Sequence, residues 1–397
     1  MGITEWVAVL VIFAVVYCLI KRYETRLVLI GSGLLLCLIS WNLVGGLNAF
    51  AKSMTNASLV MAICGSMGFA FVAKYTEADR SLVHYLSAPI RGLGIFLVPV
   101  CTAITFFVNI AIPSAAGCAA AVGSTLIPVM LRAGIKPAGA AAAVLAGTIG
   151  SYLSPGTSHN PYVANMAHID VMEFIGFHAP YSIMIGAFGV IGTLIMCILL
   201  GDGKGDKNAK IDESKAQKTD DFTPNPIKAL VPLVPITILV VGNLWCPFIK
   251  MGVAQAMVLG AVIALAVARP NPETFTKEFF NGCGKGYADV MGIIIAAGVF
   301  AAGLREAGLI DVFVQSLKES NEIARWGGSI GPFIMGVITG SGDAATLAFN
   351  ETVTPHAEDF GMSIQGLGGL AFLAGAAGRT ASPLAGVTIL VSGIAMV

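Results

Sequence analysis

Two stretches decide how this chain folds. The first is Gly147-Thr148-Ile149-Gly150-Ser151-Tyr152-Leu153-Ser154-Pro155-Gly156-Thr157-Ser158-His159-Asn160-Pro161; the second, 228 residues on, is Gly375-Ala376-Ala377-Gly378-Arg379-Thr380-Ala381-Ser382-Pro383. Each interrupts an apolar run with small and hydroxylated residues and a Ser-Pro step. Proline lacks a backbone donor and pushes the preceding residue out of the helical region. Each stretch therefore predicts a helix unwound at its midpoint, with the proline restarting the second half at its first turn. A restarted helix points free amides and a positive dipole end at whatever lies there, which suits an anion.

The surroundings explain why the breaks matter. Of 397 residues, 56% are hydrophobic, only 12% are charged and 47 are glycine. An average soluble domain is roughly a quarter charged and about 7% glycine, so a soluble protein of this length is excluded. Apolar runs of about 20 residues recur from end to end, the length that crosses a hydrocarbon core. The expected class is an all-α polytopic membrane protein bathed in lipid. A net charge of zero removes the clustered basic excess that a nucleic-acid partner demands. The eight cysteines lie singly, mostly in apolar runs, and read as small apolar fillers. Glu5 precedes the first apolar run and Lys21, Arg22 and Arg26 follow it. That run is a retained membrane helix and not a cleaved signal.

Spans are expected near residues 6–19, 27–44, 59–72, 95–127 (interrupted), 137–163 (interrupted) and 181–200. Then comes a charged, solvated, cytoplasmic linker over 201–227, with Lys204, Lys207, Lys210, Lys215 and Lys218 among acidic residues. Sliding the second half onto the first aligns Gly31 with Gly260, Gly68 with Gly298, Ser114 with Ser341, Pro128 with Pro355, Gly134 with Gly361, and Ser154-Pro155 with Ser382-Pro383. The chain thus divides into a first repeat, 1–200, and a second, 228–397. Re-entrant hairpins are expected at about 95–130 and 329–356, and unwound helices at about 137–165 and 365–397. Five crossing helices plus one hairpin per copy is an odd number of crossings, so the second copy is inverted, an arrangement typical of secondary transporters. From Pro155 the first copy runs on to Leu200, whereas from Pro383 the second ends at Val397; a final membrane helix is expected to be missing. Lysine and arginine in the short loops place the N-terminus outside, with Lys52, Lys250, Arg305, Lys318 and Arg325 as the main cations left there.

Polar residues deep in the spans form the candidate site. Asn109-Ile110-Ala111-Ile112-Pro113-Ser114-Ala115-Ala116-Gly117 and its partner Thr339-Gly340-Ser341-Gly342-Asp343 read as hairpin tips, because broken backbone at membrane depth is tolerated only against protein or a watery cavity. Expected substrate contacts are Asn109, Ser114, Thr157, Ser158, Ser341, Arg379, Thr380 and Ser382. Expected coupling groups are Thr148, Ser154, His159, Asp343 and Glu351, serving sodium or a proton, with any sodium near the tips; no cofactor or other metal is expected. An arginine at the membrane centre costs about 2.5–3.5 kcal/mol. For Arg379 the natural partner is a substrate carboxylate held bidentately; the alternative is an ion pair with Asp343. His84, His168, His178 and His356 fall at expected interfaces and read as solvated.

Two other classes compete. Gly340-Ser341-Gly342-Asp343 spells the Gly-x-Gly-Asp string of intramembrane aspartyl proteases, whose chemistry needs a second carboxylate; Asp289, near Tyr287, is the other candidate. A channel with broken helices is the other, and a carrier of a different carboxylate or of an amino acid remains open within transporters. The run Ile112-Pro113-Ser114-Ala115-Ala116-Gly117, its Gly-Ser-Gly-Asp partner and Gly378-Arg379-Thr380-Ala381-Ser382-Pro383 resemble the anaerobic four-carbon dicarboxylate carrier family of the DcuC type, in the ion transporter superfamily, over nearly the whole chain. The resemblance implies scaffold and mobile transport domains, elevator-like alternating access, homodimers, and a bacterial inner-membrane protein that exports succinate or exchanges it for fumarate during anaerobic growth. Ser114 and Ser341 match the family's hairpin-tip serines, and Thr157, Arg379, Thr380 and Ser382 match polar positions of its unwound helices. The Ser-Asn-Thr tip of better-known dicarboxylate members of the superfamily is replaced here by Ser-Ala-Ala and Ser-Gly-Asp.

Overall fold

A computed structural model describes residues 2–87, 93–202, 222–310, 312 and 321–397. The described chain is all helical. In order come α1 (Ile3–Ile20), α2 (Thr25–Ile39), α3 (Leu43–Met54), α4 (Ala57–Tyr75), α5 (Ala78–Ser87), α6 (Leu97–Ala111), α7 (Ala115–Arg132), α8 (Pro137–Gly147), α9 (His159–Met166) and α10 (Val171–Leu199). There follow α11 (Pro226–Leu230), α12 (Val234–Leu244), α13 (Val253–Ala268), α14 (Pro272–Gly286), α15 (Gly292–Glu306), α16 (Asn321–Thr339), α17 (Gly342–Thr352), α18 (Ile364–Ala381) and α19 (Gly386–Ala395). Six helical stretches among the described residues are long and apolar enough to cross a membrane. The chain is a multi-pass membrane protein.

Helix breaks fall where local chemistry demands them. α6 stops at Ala111 and α7 restarts at Ala115, bracketing Pro113 and Ser114; α16 stops at Thr339 and α17 restarts at Gly342. Three expectations need correction. The span 27–44 is two helices, because Trp41 is left-handed at φ 59° and the Asn42 side chain accepts the Gly45 amide at 3.0 Å to cap α3. The span expected from 181 starts at Val171, since His178 and Ser182 are packed inside and do not mark an interface. Finally, Pro155 and Pro383 do not occupy the first turn of the restarted helices, which begin at His159 and Gly386. Ser154 and Ser382 are both extended, with ψ 127° and 126°. Their hydroxyls accept the amides of Gly156 at 3.3 Å and Leu384 at 3.1 Å. Each Ser-Pro step therefore makes a side-chain-closed turn, and the helix restarts only after it.

The backbone repeats with the sequence. Left-handed residues recur in pairs separated by 227 to 231 positions: Trp41 with Arg269, Glu77 with Gly308, Gly134 with Gly361, and His168 with Met396. Left-handed conformations are uncommon outside glycine, and the spacing of these four pairs is close to the offset of the sequence matches.

The chain forms two compact units. Unit 1 holds residues 1–63, 161–170 and 285–385; unit 2 holds 64–160, 171–284 and 386–397. Most of α9, from the first copy, thus belongs to unit 1 with α15 to α18, and α19, from the second copy, belongs to unit 2 with α6 to α8. In unit 1, Leu29, Leu36, Phe300, Phe360 and Leu367 lie in one buried cluster. There α2 and α15 cross so closely that a β-carbon on Gly33 would lie 2.5 Å from the Val299 carbonyl oxygen, the small-residue contact of membrane helices. In unit 2, Val98, Cys118, Leu126, Val144 and Val391 lie in the other main cluster. α10 instead turns Phe177, Phe188, Ile191 and Leu199 outward, as a helix solvated by lipid tails does.

The linker lies mostly outside the described residues, which resume at Phe222. Its described ends are held to unit 2. Asp202, with a side chain only 3% exposed, pairs with Lys136 at 3.6 Å. On the far side Arg80 stacks over the Phe222 ring at 4.6 Å, and the Asn225 side chain caps α11 through the Ile227 and Lys228 amides. The edges of the 201–227 stretch are therefore anchored and not freely solvated.

Candidate functional site

In unit 2 the tip between α6 and α7 packs on the break after α8. A β-carbon on Gly156 would meet Pro113 at 3.1 Å and Ser66 at 3.2 Å. Broken backbone leaves amides and carbonyls that must find partners away from water, and here side chains supply them. Asn109, fully buried, donates to the Ile112 carbonyl at 2.9 Å and accepts the Ser151 amide at 2.7 Å, so one amide clamps tip and break together. Thr157 donates to the Ser151 carbonyl at 2.5 Å. Asn160 donates to the carbonyls of Tyr152 and Ser154, each at 2.8 Å. Ser114 caps α7 by accepting the Gly117 amide at 3.1 Å, and Thr148 donates to the Leu145 carbonyl at 2.7 Å. Ser158 lies 3.5 Å from Nδ1 of the buried His159.

In unit 1 the tip between α16 and α17 packs on the break between α18 and α19, with glycine at the closest approaches, as Gly150 is in unit 2 against the Phe106 carbonyl. Gly340 is left-handed at φ 71°, and a β-carbon there would lie 2.7 Å from the Leu384 backbone. One turn earlier, a β-carbon on Gly336 would lie 2.5 Å from the Gly375 carbonyl oxygen and 2.9 Å from the Arg379 amide. The Thr339 hydroxyl lies 2.7 Å from the Met335 carbonyl and accepts the Ser341 amide at 3.2 Å. Ser382 donates to the Val337 carbonyl at 2.6 Å, and Thr380 donates back to Ala376 at 3.0 Å. The Ser341 side chain, unlike that of Ser114, caps nothing.

Arg379 occupies the last turn of α18, half-buried. Among the described residues its guanidinium has no ion pair. Asp343 stands exposed in the first turn of α17. Thr339 and Ser341 also line a cavity of about 210 Å³ with Arg22, Tyr23 and Thr25.

Other candidates are elsewhere. Glu351 lies ten positions beyond Ser341, about 15 Å along a helix, and accepts a hydrogen bond from the buried Tyr162; it is away from the tip. Asp289 pairs with Lys285 at 2.8 Å on an exposed π-turn, which suits a surface ion pair better than a catalytic acid. His178 corrects its expectation outright. It is 2% exposed, with Nδ1 2.9 Å from the Ser182 hydroxyl and Nε2 3.1 Å from the Asn160 side-chain oxygen. His84 and His168 are exposed and His356, half-buried, lies 3.5 Å from Asp359. The roles of Asn160 and His178 were missed from the sequence. The available signal was Asn160 itself, an amide directly before Pro161 in a run of broken backbone.

With this geometry in view, three comparisons place the chain. An uncharacterized transporter of Haemophilus influenzae is 46% identical over 253 residues, covering 62% of this chain and 91% of that one. The anaerobic C4-dicarboxylate transporter DcuC of Escherichia coli K12 is 27% identical over 98% of this chain and 90% of its own. The crystal structure of the Alcanivorax borkumensis YdaH transporter matches with a TM-score of 0.56 at 14% identity, covering 88% of this chain and 79% of that one, a likeness of fold. A family model, the C4-dicarboxylate anaerobic carrier DcuC, matches residues 4–397, so the chain belongs to the DcuC family of transporters and is not an enzyme.

Proposed function

We propose that this protein is a secondary transporter that moves four-carbon dicarboxylates across the bacterial inner membrane by alternating access, with succinate efflux or fumarate–succinate exchange as its reaction. One observation carries the reading. Arg379 sits at a broken helix with its guanidinium uncommitted to any described residue, and a cation left so at membrane depth calls for an anionic ligand. A carboxylate matches its planar fork bidentately, and membership of a C4-dicarboxylate family supports the substrate class. Ser341 and the amides at the start of α17, which packs on α18 through Gly342, are further donors for the same ligand. In unit 2, Ser114, Ser158 and the amides before α9 are the matching set. Asn109, Thr157 and Thr148 already hold the backbone and act by positioning.

Two inverted repeats with re-entrant tips account for the paired left-handed residues and for the second half of each broken helix lying in the opposite unit. The family resemblance implies the scaffold-and-transport division and elevator motion, and the loop charges favour a periplasmic N-terminus. A homodimer follows from the family resemblance. Coupling to sodium or a proton falls to Asp343, exposed beside the tip, with Ser154 and His159 as its counterparts in unit 2.

The test is counterflow in proteoliposomes with succinate, fumarate, aspartate and lactate, varying sodium and pH separately. Succinate and fumarate exchange is expected to fall at least about tenfold in Arg379→Gln, as for loss of one charge-assisted bidentate contact. Exchange at unchanged affinity overturns the assignment. Asp343→Asn is expected to alter the cation dependence; an identical dependence removes it from coupling.

A further inference from the structure

We infer that unit 1 carries a second anion site, separate from the helix breaks, in which Lys52 and Arg305 capture a small carboxylate dianion. The site is a cavity of about 270 Å³, far above the 10–15 Å³ or so that one water needs by a comparable measure. Lys52 lies in the last turn of α3 and Arg305 in the last turn of α15. The negative end of a helix dipole accounts for one cation on each helix, but not for both lining one cavity. Neither makes an ion pair among the described residues.

Orientation sharpens the point. The positive-inside rule depletes lysine and arginine from the outer loops. Lys52 and Arg305 are among the few cations that the loop charges leave outside, and these two share a cavity. The two amides that line the cavity are already committed. Asn56 donates to Asn165 at 3.3 Å, Asn165 donates to Ser58 at 2.6 Å, and the Asn56 oxygen takes the Leu59 amide at 3.3 Å. Bonded to one another, these amides form a fixed frame. Among the described residues, Lys52, Arg305 and the Ser53 hydroxyl are the lining donors without a hydrogen bond or ion pair.

Glu351 sets the strength of capture. Its carboxylate lines the same cavity and accepts from Tyr162, so with the two cations the lining carries one net positive charge. A dianion is attracted but not trapped, as a site on a transport route requires. The identity of the ligand as a four-carbon dicarboxylate rests on the proposed function; the site itself rests on the cavity and its cations.

Isothermal titration of the purified full-length protein with succinate decides the matter. Wild type is expected to bind two equivalents, and Lys52→Gln/Arg305→Gln one. Glu351→Gln keeps an acceptor for Tyr162 and is expected to tighten the second site several-fold, a gain that misfolding cannot produce. A double variant that binds succinate as wild type does overturns the site, and so does a wild type whose single equivalent vanishes in Arg379→Gln. Two equivalents surviving in Arg379→Gln instead overturn the proposed role of Arg379 and support the cavity. The same titration with lactate, a monocarboxylate, separates a wrong substrate class from a missing site: two equivalents of lactate in wild type and one in Lys52→Gln/Arg305→Gln overturn the dianion reading and keep the two cations as an anion site.

Discussion

Both units press glycine against backbone at the break, Gly150 on the Phe106 carbonyl in unit 2 and Gly340 on Leu384 in unit 1, but they use side chains differently. In unit 2 a buried amide, Asn109, spans tip and break and satisfies a carbonyl and an amide 39 residues apart in sequence, Ile112 and Ser151. Asn160 and Thr157 do the rest. In unit 1 the tip and break meet backbone to backbone across Gly336, Gly340 and Gly375, and the nearby charged side chain, Arg379, is left uncommitted. A side-chain clamp fixes geometry at the cost of the polar groups it uses. Glycine contact fixes geometry and leaves polar groups for a ligand. The two breaks thus differ in use: unit 2 invests its polar residues in holding shape, and unit 1 leaves Arg379 without an ion pair among the described residues.

Substitutions can break or sharpen that contrast. The largest effect is expected from Gly340→Ala, which combines a left-handed backbone with a methyl pressed on the Leu384 backbone; it should destabilise unit 1 by about 4 kcal/mol, read as a large fall in apparent melting temperature in detergent. A near-wild-type melting curve would mean that glycine contact is not what holds this break. Next comes Asn109→Ala. Orphaning the buried Ser151 amide and the half-buried Ile112 carbonyl should cost about 2–3 kcal/mol, with Asn109→Asp intermediate because it keeps the acceptor for Ser151 and loses the donor to Ile112. Equal losses in the two variants would mean that the clamp works through one bond only. The smallest effect is also the most discriminating. Ser114→Ala removes a helix cap worth about 1 kcal/mol, whereas Ser341→Ala, at a hydroxyl that caps nothing, should change stability by under about 0.5 kcal/mol. If Ser341→Ala also leaves succinate exchange untouched, that serine contributes neither to structure nor to binding.

Much of this was legible in advance, and the reasons are local. Pro113, Pro155 and Pro383 stand beside small and hydroxylated residues that take up freed backbone groups, and the breaks fall there, whereas Pro128, Pro180 and Pro332 lie inside helices. Gly134 and Gly361 stop helices by a preference of the backbone itself. The errors were equally instructive. Trp41 and His178 misled because neither residue's own chemistry tells what it does here: Trp41 takes a left-handed turn that aromatic residues seldom adopt, and His178 is polar yet fully partnered by Ser182 and Asn160. Ser382 and Thr157 were expected to face a ligand because they are polar at membrane depth. The polar groups nearest to them are backbone carbonyls freed by the breaks, and those take the hydroxyls first.

By itself the sequence determined the membrane, the positions of the breaks and the arginine placed at one of them, because composition, proline and glycine act on the chain within a few residues. Only the tertiary structure decided which polar groups hold and which remain available. Asn109 meets Ser151 across 42 residues, Tyr162 meets Glu351 across 189, and Lys52 and Arg305 come to one cavity from helices far apart in the chain. Hydrogen bonds and charges act over a few ångströms of space, and nothing in the order of residues measures that distance.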